Sequence, residues 1–203
     1  MPDAMNRSAG RFLLWVDAVG AYWVCLGDEV TLGQPVRGGA VDVPILGDIS
    51  NRHARICRDG EGYWIEPLRD VRVDGHLLRA PAPLVDGSRV ELGRAVRLVF
   101  RRPHPLSATA RLDFDSTHRT TPSTDAVLLM AGNCVLGPHA HAHVLCRHWT
   151  REVVLFRQEE ELWCRAEGGL EIDGHAFAQR GPVHPNARIV GEGFSMSLED
   201  VRG

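Results

Sequence analysis

Hydrophobic and polar residues follow one another along this chain in short runs. Residues 12–16 are apolar throughout, Gly20 marks a turn, and 22–26 are again apolar and aromatic; Gly27-Asp28 marks a second turn before Glu29-Val30-Thr31-Leu32. Further short segments come at 53–57, 62–66, 71–73, around Leu84, at 89–92 and at 96–101, punctuated by Asp59-Gly60 and Asp74-Gly75. β-Branched and aromatic residues bounded by Gly and Asp at this spacing predict an all-β sandwich. In Val96-Arg97-Leu98-Val99-Phe100-Arg101 the alternation sends one side of a strand into a core. Residues 34–48 carry Pro35, Gly38, Gly39, Pro44 and Gly47 and predict an irregular, exposed loop.

The pattern then repeats. Trp64 precedes His76 of Val73-Asp74-Gly75-His76 by twelve positions, and Trp163 precedes His175 of Ile172-Asp173-Gly174-His175 by the same twelve. Ile56 stands eight residues before Trp64, as Leu155 stands before Trp163. Thr31-Leu32-Gly33-Gln34 is echoed by Val135-Leu136-Gly137-Pro138, and Leu92-Gly93 by Val190-Gly191. Self-similarity at a fixed period means two copies of one module. Across 148–165, Trp149, Val153, Phe156 and Leu162 also fit one helical face. The repeat register favours a hairpin there, 152–157 with 161–165. Residues 103–125, rich in Pro, Ser and Thr, read as a linker, with 110–115 alternating like a strand.

Ile49-Ser50-Asn51-Arg52-His53-Ala54-Arg55-Ile56, followed by Val73-Asp74-Gly75 and Val85-Asp86-Gly87-Ser88-Arg89-Val90-Glu91-Leu92-Gly93, resembles the signature of the forkhead-associated, or FHA, domain. The resemblance implies two FHA-like antiparallel β-sandwiches in tandem. The expected division is an FHA domain at 11–102, a partly extended linker at 103–125, and a degenerate FHA-like sandwich at 126–203. It implies a phosphothreonine-peptide site held by Ser50 and Arg52, with Asn51 beside them and Gln34 where the family places an Arg. Arg37, three residues along the same loop, is the candidate substitute. Gly33, His53 and Gly75 are expected to shape the loops rather than touch ligand. The family's Ser-x-Asn-Gly-Thr segment is shortened here to Pro67-Leu68-Arg69-Asp70-Val71-Arg72. In the second copy Trp149 falls where Ser50 stands and Glu152 where His53 stands, and a carboxylate there repels phosphate.

Composition narrows the function further. With 203 residues, 44% hydrophobic and 24% charged, the chain can build two small cores. A net charge of −3 without a dense basic block speaks against nonspecific nucleic-acid binding. No apolar run approaches the roughly 18–20 residues that span a bilayer, and the first ten residues lack a secretory pattern, so a cytoplasmic location with no membrane contact is expected. Cys25, Cys57, Cys134, Cys146 and Cys164 form no Cys-x-x-Cys pair and read as small buried hydrophobes. His139, His141 and His143 alternate and would share one face of a strand, but they lack a Cys or carboxylate cage, so neither metal nor cofactor is expected.

Ser50 with His53 invites a hydrolase reading, yet no orienting acid accompanies them. Trp64 and Trp163 are expected in the cores, and Trp149 exposed. The expected function is a noncatalytic adaptor whose first module binds a phosphothreonine protein partner made by a Ser/Thr kinase pathway. The alternative is a phosphate-independent scaffold, with both modules degenerate and a homo-oligomer as its product. Thr117, Thr120, Thr121 and Thr124 are candidate phosphorylation sites for binding by a neighbouring copy.

Overall fold

The computed structural model of the protein describes residues 10–36, 41–60 and 62–201, and all of its regular structure is β. The first half runs β1 (Arg11–Val16), β2 (Gly20–Cys25), β3 (Glu29–Gly33), β4 (Val43–Pro44), β5 (Ala54–Asp59), β6 (Gly62–Pro67), β7 (Val71–Val73), β8 (His76–Leu77), β9 (Ala82–Leu84), β10 (Arg89–Leu92) and β11 (Val96–Arg101). The second repeats it: β12 (Ala110–Phe114), β13 (Ala126–Leu129), β14 (Asn133–Gly137), β15 (Val144–Leu145), β16 (Val153–Gln158), β17 (Glu161–Ala166), β18 (Leu170–Ile172), β19 (His175–Phe177), β20 (Arg180–Val183), β21 (Arg188–Gly191) and β22 (Phe194–Asp200). The ambiguous stretch is the hairpin β16–β17 and not a helix.

The duplication extends to single hydrogen bonds. Asp74 and Asp173 both sit at φ 50, followed by Gly75 at φ 81 and Gly174 at φ 83. Two successive positive φ values define a type I′ hairpin turn, which Asp-Gly serves best. The Asp74 carboxylate accepts from the Arg89 backbone N–H at 2.9 Å, and Asp173 from that of Arg188 at 2.8 Å. One register reading shifts: Leu92 pairs with Val71 and Gly191 with Leu170, so Leu92 corresponds to Gly191 and not to Val190. The turn after β21 is one residue shorter than the turn after β10.

The two sandwiches share a sheet. Twelve strands form one central layer in the order β19-β18-β21-β22-β1-β2-β13-β12-β11-β10-β7-β8. On one face lies the sheet β4-β3-β5-β6-β9, and on the other β15-β14-β16-β17-β20. The N-terminal hairpin β1–β2 therefore lies against β22 and completes the second module, while β12–β13 lies against β11 and completes the first. The hairpins are exchanged between the halves. Residues 103–125 are thus no connector between separate bodies, because Ala110 and Leu112 of β12 are fully buried in the first module's core.

This exchange explains the unbroken apolar runs. Strands covered on both faces read as continuous hydrophobic stretches and not as alternation. From β1, β2 and β13, Leu13, Trp23, Cys25, Val127 and Leu129 enter one core, while Phe12, Leu14, Val16, Tyr22, Val24, Ala126 and Leu128 enter the other. At the centre β2 and β13 pair in parallel, Ala126 opposite Tyr22. A parallel central pair whose continuations cross to opposite faces relates the halves by a twofold along the strands. Equivalent loops of both modules therefore emerge at the same pole.

Candidate loop-end binding site

The site in the first module is built around a buried histidine. His53 is 4% exposed and its Nδ1 accepts from the Ser50 backbone N–H at 3.1 Å, which leaves Nε2 to donate to the Asp70 carbonyl at 2.9 Å. Its own N–H donates to the Leu32 carbonyl at 2.8 Å, and its carbonyl accepts from Leu68 and Arg69 at 3.1 and 3.0 Å. One residue so fixes three segments: the end of β3, the loop before β5 and the loop before β7. Gly93 joins them, donating its N–H to the Asp70 carbonyl at 2.9 Å. Gly33 permits the closest approach, since a Cβ there would lie 2.0 Å from the Asn51 carbonyl oxygen.

Ser50, Asn51, Arg52 and Gln34 are brought to one loop end. Gln34 donates its backbone N–H to the Ser50 carbonyl at 3.0 Å and is exposed, as are Asn51 and Arg52, while Ser50 is half-buried. Arg37 lies outside the described residues. Arg52 lines a cleft of about 480 Å3 with Arg11, Arg55, Asp42 and Glu29. Arg11 pairs with Asp42 at 3.5 Å and Arg55 with Glu29 at 3.4 Å, so Arg52 is the cleft's cation without an ionic partner among the described residues. Gly75 lies farther along, in the turn between β7 and β8.

Two further cations at this end escaped sequence reasoning. Arg69 is exposed, its backbone N–H is bonded to the His53 carbonyl and its guanidinium to the Leu68 carbonyl at 2.7 Å, so the shortened 67–72 segment places an arginine in the loop cluster. Arg94 is exposed beside Gly93 in the turn after β10. The signal for Arg69 was present in the shortened segment, which read only as a loss of the family's Asn-Gly-Thr.

The corresponding end of the second module is different chemistry on the same backbone. Trp149, expected at the surface, is 7% exposed and its ring packs 5.3 Å from that of Phe194. An indole in place of a serine is large enough to reach the core, and burying it there outweighs exposure. Glu152 points outward and bonds His141 at 3.1 Å. Arg151 occupies the place of Arg52 and donates to the Glu167 carbonyl at 3.2 Å. The expected core tryptophans are not core either. Trp64 is 40% exposed on the outer face of its sheet, and Trp163 is half-buried beneath the Arg180 guanidinium at 5.7 Å. Their pairing partners Cys57 and Pro83, and Phe156 and Pro182, give the same outer-face neighbourhood twice.

The alternating histidines do not share a strand face. They lie in the loop between β14 and β15, where His143 turns inward and is fully buried while His139 and His141 stay exposed. His143 Nδ1 accepts from the Val135 N–H at 2.9 Å, and the ring stacks on His104 at 5.7 Å. Burial, then the neighbouring His104, pushes its pKa down to about 4. Among the described residues no group of three or more His, Cys, Asp or Glu is arranged to hold a metal. Cys25, Cys134, Cys146 and Cys164 are buried free thiols, and Cys57 is half-buried. Burial raises the pKa of each of the four, that of Cys134, Cys146 and Cys164 to about 12. Thr120 and Thr124 are also buried and bonded to each other at 2.7 Å, which removes both from the exposed hydroxyls available for phosphorylation.

With this geometry stand the relatives. The profile of the FHA domain family matches residues 30–93, from β3 through β10 and the whole loop cluster around His53. That stretch of the chain is similar to an FHA domain. Among solved structures it is similar to the FHA domain of the CT664 protein from Chlamydia trachomatis, at 27% identity over 41% of this chain and 89% of that one, with a TM-score of 0.31. It is also similar to the N-terminal FHA domain from EssC, a component of the bacterial Type VII secretion apparatus, at 9% identity over 94% of this chain and 93% of that one, with a TM-score of 0.25. No curated protein matches the chain. FHA domains are protein-interaction modules, and no helix among the described residues is long and apolar enough to cross a membrane.

Proposed function

We propose that the chain is a noncatalytic adaptor whose FHA domain binds phosphothreonine peptides at the loop end formed by Ser50, Asn51, Arg52 and Gln34. The observation that carries this reading is the unpaired Arg52 beside a half-buried Ser50, on loops locked by His53. A phosphate needs charge-assisted donors in fixed positions, and Arg supplies them in a planar fork. Gln34 supplies neutral amide donors in place of a guanidinium, while Arg69 adds a cation from the neighbouring loop. The ligand comes from a partner modified by a Ser/Thr kinase. The second module lacks both the serine hydroxyl and the loop-locking histidine; its part is to complete the shared sheet and to present a contact surface of its own.

Titration of labelled peptides carrying phosphothreonine or threonine tests this on the full chain. Phosphorylated peptides bind more tightly, and Ser50→Ala or Arg52→Ala each weakens them about ten- to hundredfold, the loss of one charge-assisted hydrogen bond. Equal binding of both peptide forms would reject phosphate reading in favour of the scaffold alternative.

A further inference from the structure

The connection between β12 and β13, residues 115–125, is far longer than the equivalent turn between β1 and β2, residues 17–19. Hairpins close with two to five residues, so the extra chain serves something else. It does not project into solvent. Leu46 donates its N–H to the Arg119 carbonyl at 2.9 Å, Thr121 donates to the Pro44 carbonyl at 3.0 Å, and Ile45 bridges to Thr120. At its other end Asp115 donates to the Arg97 carbonyl at 2.9 Å, and the Arg97 N–H donates to Ser116 Oγ at 3.2 Å. The segment is a strap laid along β4 and onto the loop that carries Ser50.

His118 is the strap's inward contact. A side chain at Gly47, three residues before Ser50, would come within 3.0 Å of the His118 ring. His118 is half-buried, and its Nδ1 lies 3.0 Å from Ser116 Oγ. Around it this pole carries Arg52, Arg69, Arg94, Arg97 and Arg119 against the acids Asp48, Asp70, Glu91 and Asp115. The excess is cationic.

We infer that the strap is a second wall of the FHA site, and that His118 contacts the bound peptide and favours an acidic side chain flanking the phosphothreonine. The inference rests on the phosphothreonine reading above. Fluorescence anisotropy on the full chain tests it with two phosphothreonine peptides, one flanked by Asp and Glu and one by Ala. The unaltered protein prefers the acidic peptide roughly two- to fivefold, the scale of one solvent-exposed polar contact. His118→Ala brings that preference close to unity, weakening the acidic peptide more than the Ala-flanked one, and His118→Glu reverses it. Thermal melting of both variants reports whether the fold is kept. An unchanged preference in folded His118→Ala and His118→Glu, with phosphate dependence intact, overturns the strap's role alone. Equal binding of phosphorylated and unphosphorylated peptides by the unaltered protein overturns the underlying reading, and the strap's role with it.

Discussion

The two modules answer differently to the same backbone. At the turn between β7 and β8 and its counterpart between β18 and β19, Asp74 and Asp173 repeat one geometry to within 0.1 Å in the carboxylate bond. At the loop end they share almost nothing: Ser50 and a buried His53 in one, a buried Trp149 and an outward Glu152 in the other. Turn residues answer to backbone dihedrals, which both copies need. On the function proposed above, loop-end residues answer to a ligand, and only the first copy carries a set suited to an anion. The hairpin exchange adds a reason for both copies to stay folded, because each sandwich is closed by strands from the other half.

That comparison can be broken most forcefully in the cores. Leu14 and Leu112 hold equivalent places on the exchanged hairpins, opposite Leu198 and Phe100, and both are fully buried. Leu14→Ala and Leu112→Ala should each cost about 2–5 kcal/mol in denaturant unfolding. Hydrogen exchange should place the loss from Leu14→Ala in β14 to β22, and that from Leu112→Ala in β3 to β11. Losses confined to the half that carries the substitution would contradict the exchange.

Next in size is the acid sensitivity that His143 gives the second module. His143 has a folded pKa of about 4 against an ordinary 6.5. Above pH 6.5 neither state is protonated and the residue adds no pH dependence. As pH falls toward 4 the unfolded chain binds a proton that the folded chain refuses, and stability declines by up to roughly 3 kcal/mol. Below 4 the difference stays constant. Denaturation curves of His143→Asn should lack this part of the slope, and a slope identical to the unaltered protein's would refute the assignment.

Smaller again is the contrast between His53→Ala and Glu152→Ala. Removing the His53 ring leaves the Ser50 N–H without its partner and the Asp70 carbonyl with only Gly93 as donor, and should cost about 1–3 kcal/mol. Glu152 makes one exposed contact and its removal should cost under about 1 kcal/mol. Comparable losses would show that the histidine's loop bonds are not what separates the modules. At the low end, Asp74→Ala and Asp173→Ala should each cost about 1 kcal/mol, and equally, if the turns are true equivalents.

Much of this was legible in the chain itself. The strand runs, the Asp-Gly turns and the repeat of Trp64 and Trp163 fixed the all-β character and the duplication, because period and turn chemistry are local properties. The exchange of hairpins was not legible. Residues 12–16 and 126–129 are uninterrupted apolar runs, which reveal two buried faces without revealing whose. The strap was hidden for a similar reason, since 115–125 has a linker's composition and is tied down largely by backbone bonds that any sequence can make. Trp149 misled because equivalence to Ser50 argued for exposure, while the size of an indole argued for the core. At the site Ser50, Arg52 and His53 could be named from their motif, whereas Arg69 needed the fold to bring it near.

The exchange itself is tested most directly by cross-linking across the central sheet. Trp15 faces Ser197 across β1 and β22, and the equivalent partner within its own half would be Val99, which instead faces Asp113. Directly opposed residues of antiparallel strands stand about 4.5–5.5 Å apart at Cα, within reach of a disulfide. The account predicts that Trp15→Cys combined with Ser197→Cys forms an intramolecular disulfide in the monomer under mild oxidation, and that Trp15→Cys combined with Val99→Cys does not. A disulfide in the second pair and none in the first would show that each hairpin stays with its own half, and would contradict the shared sheet.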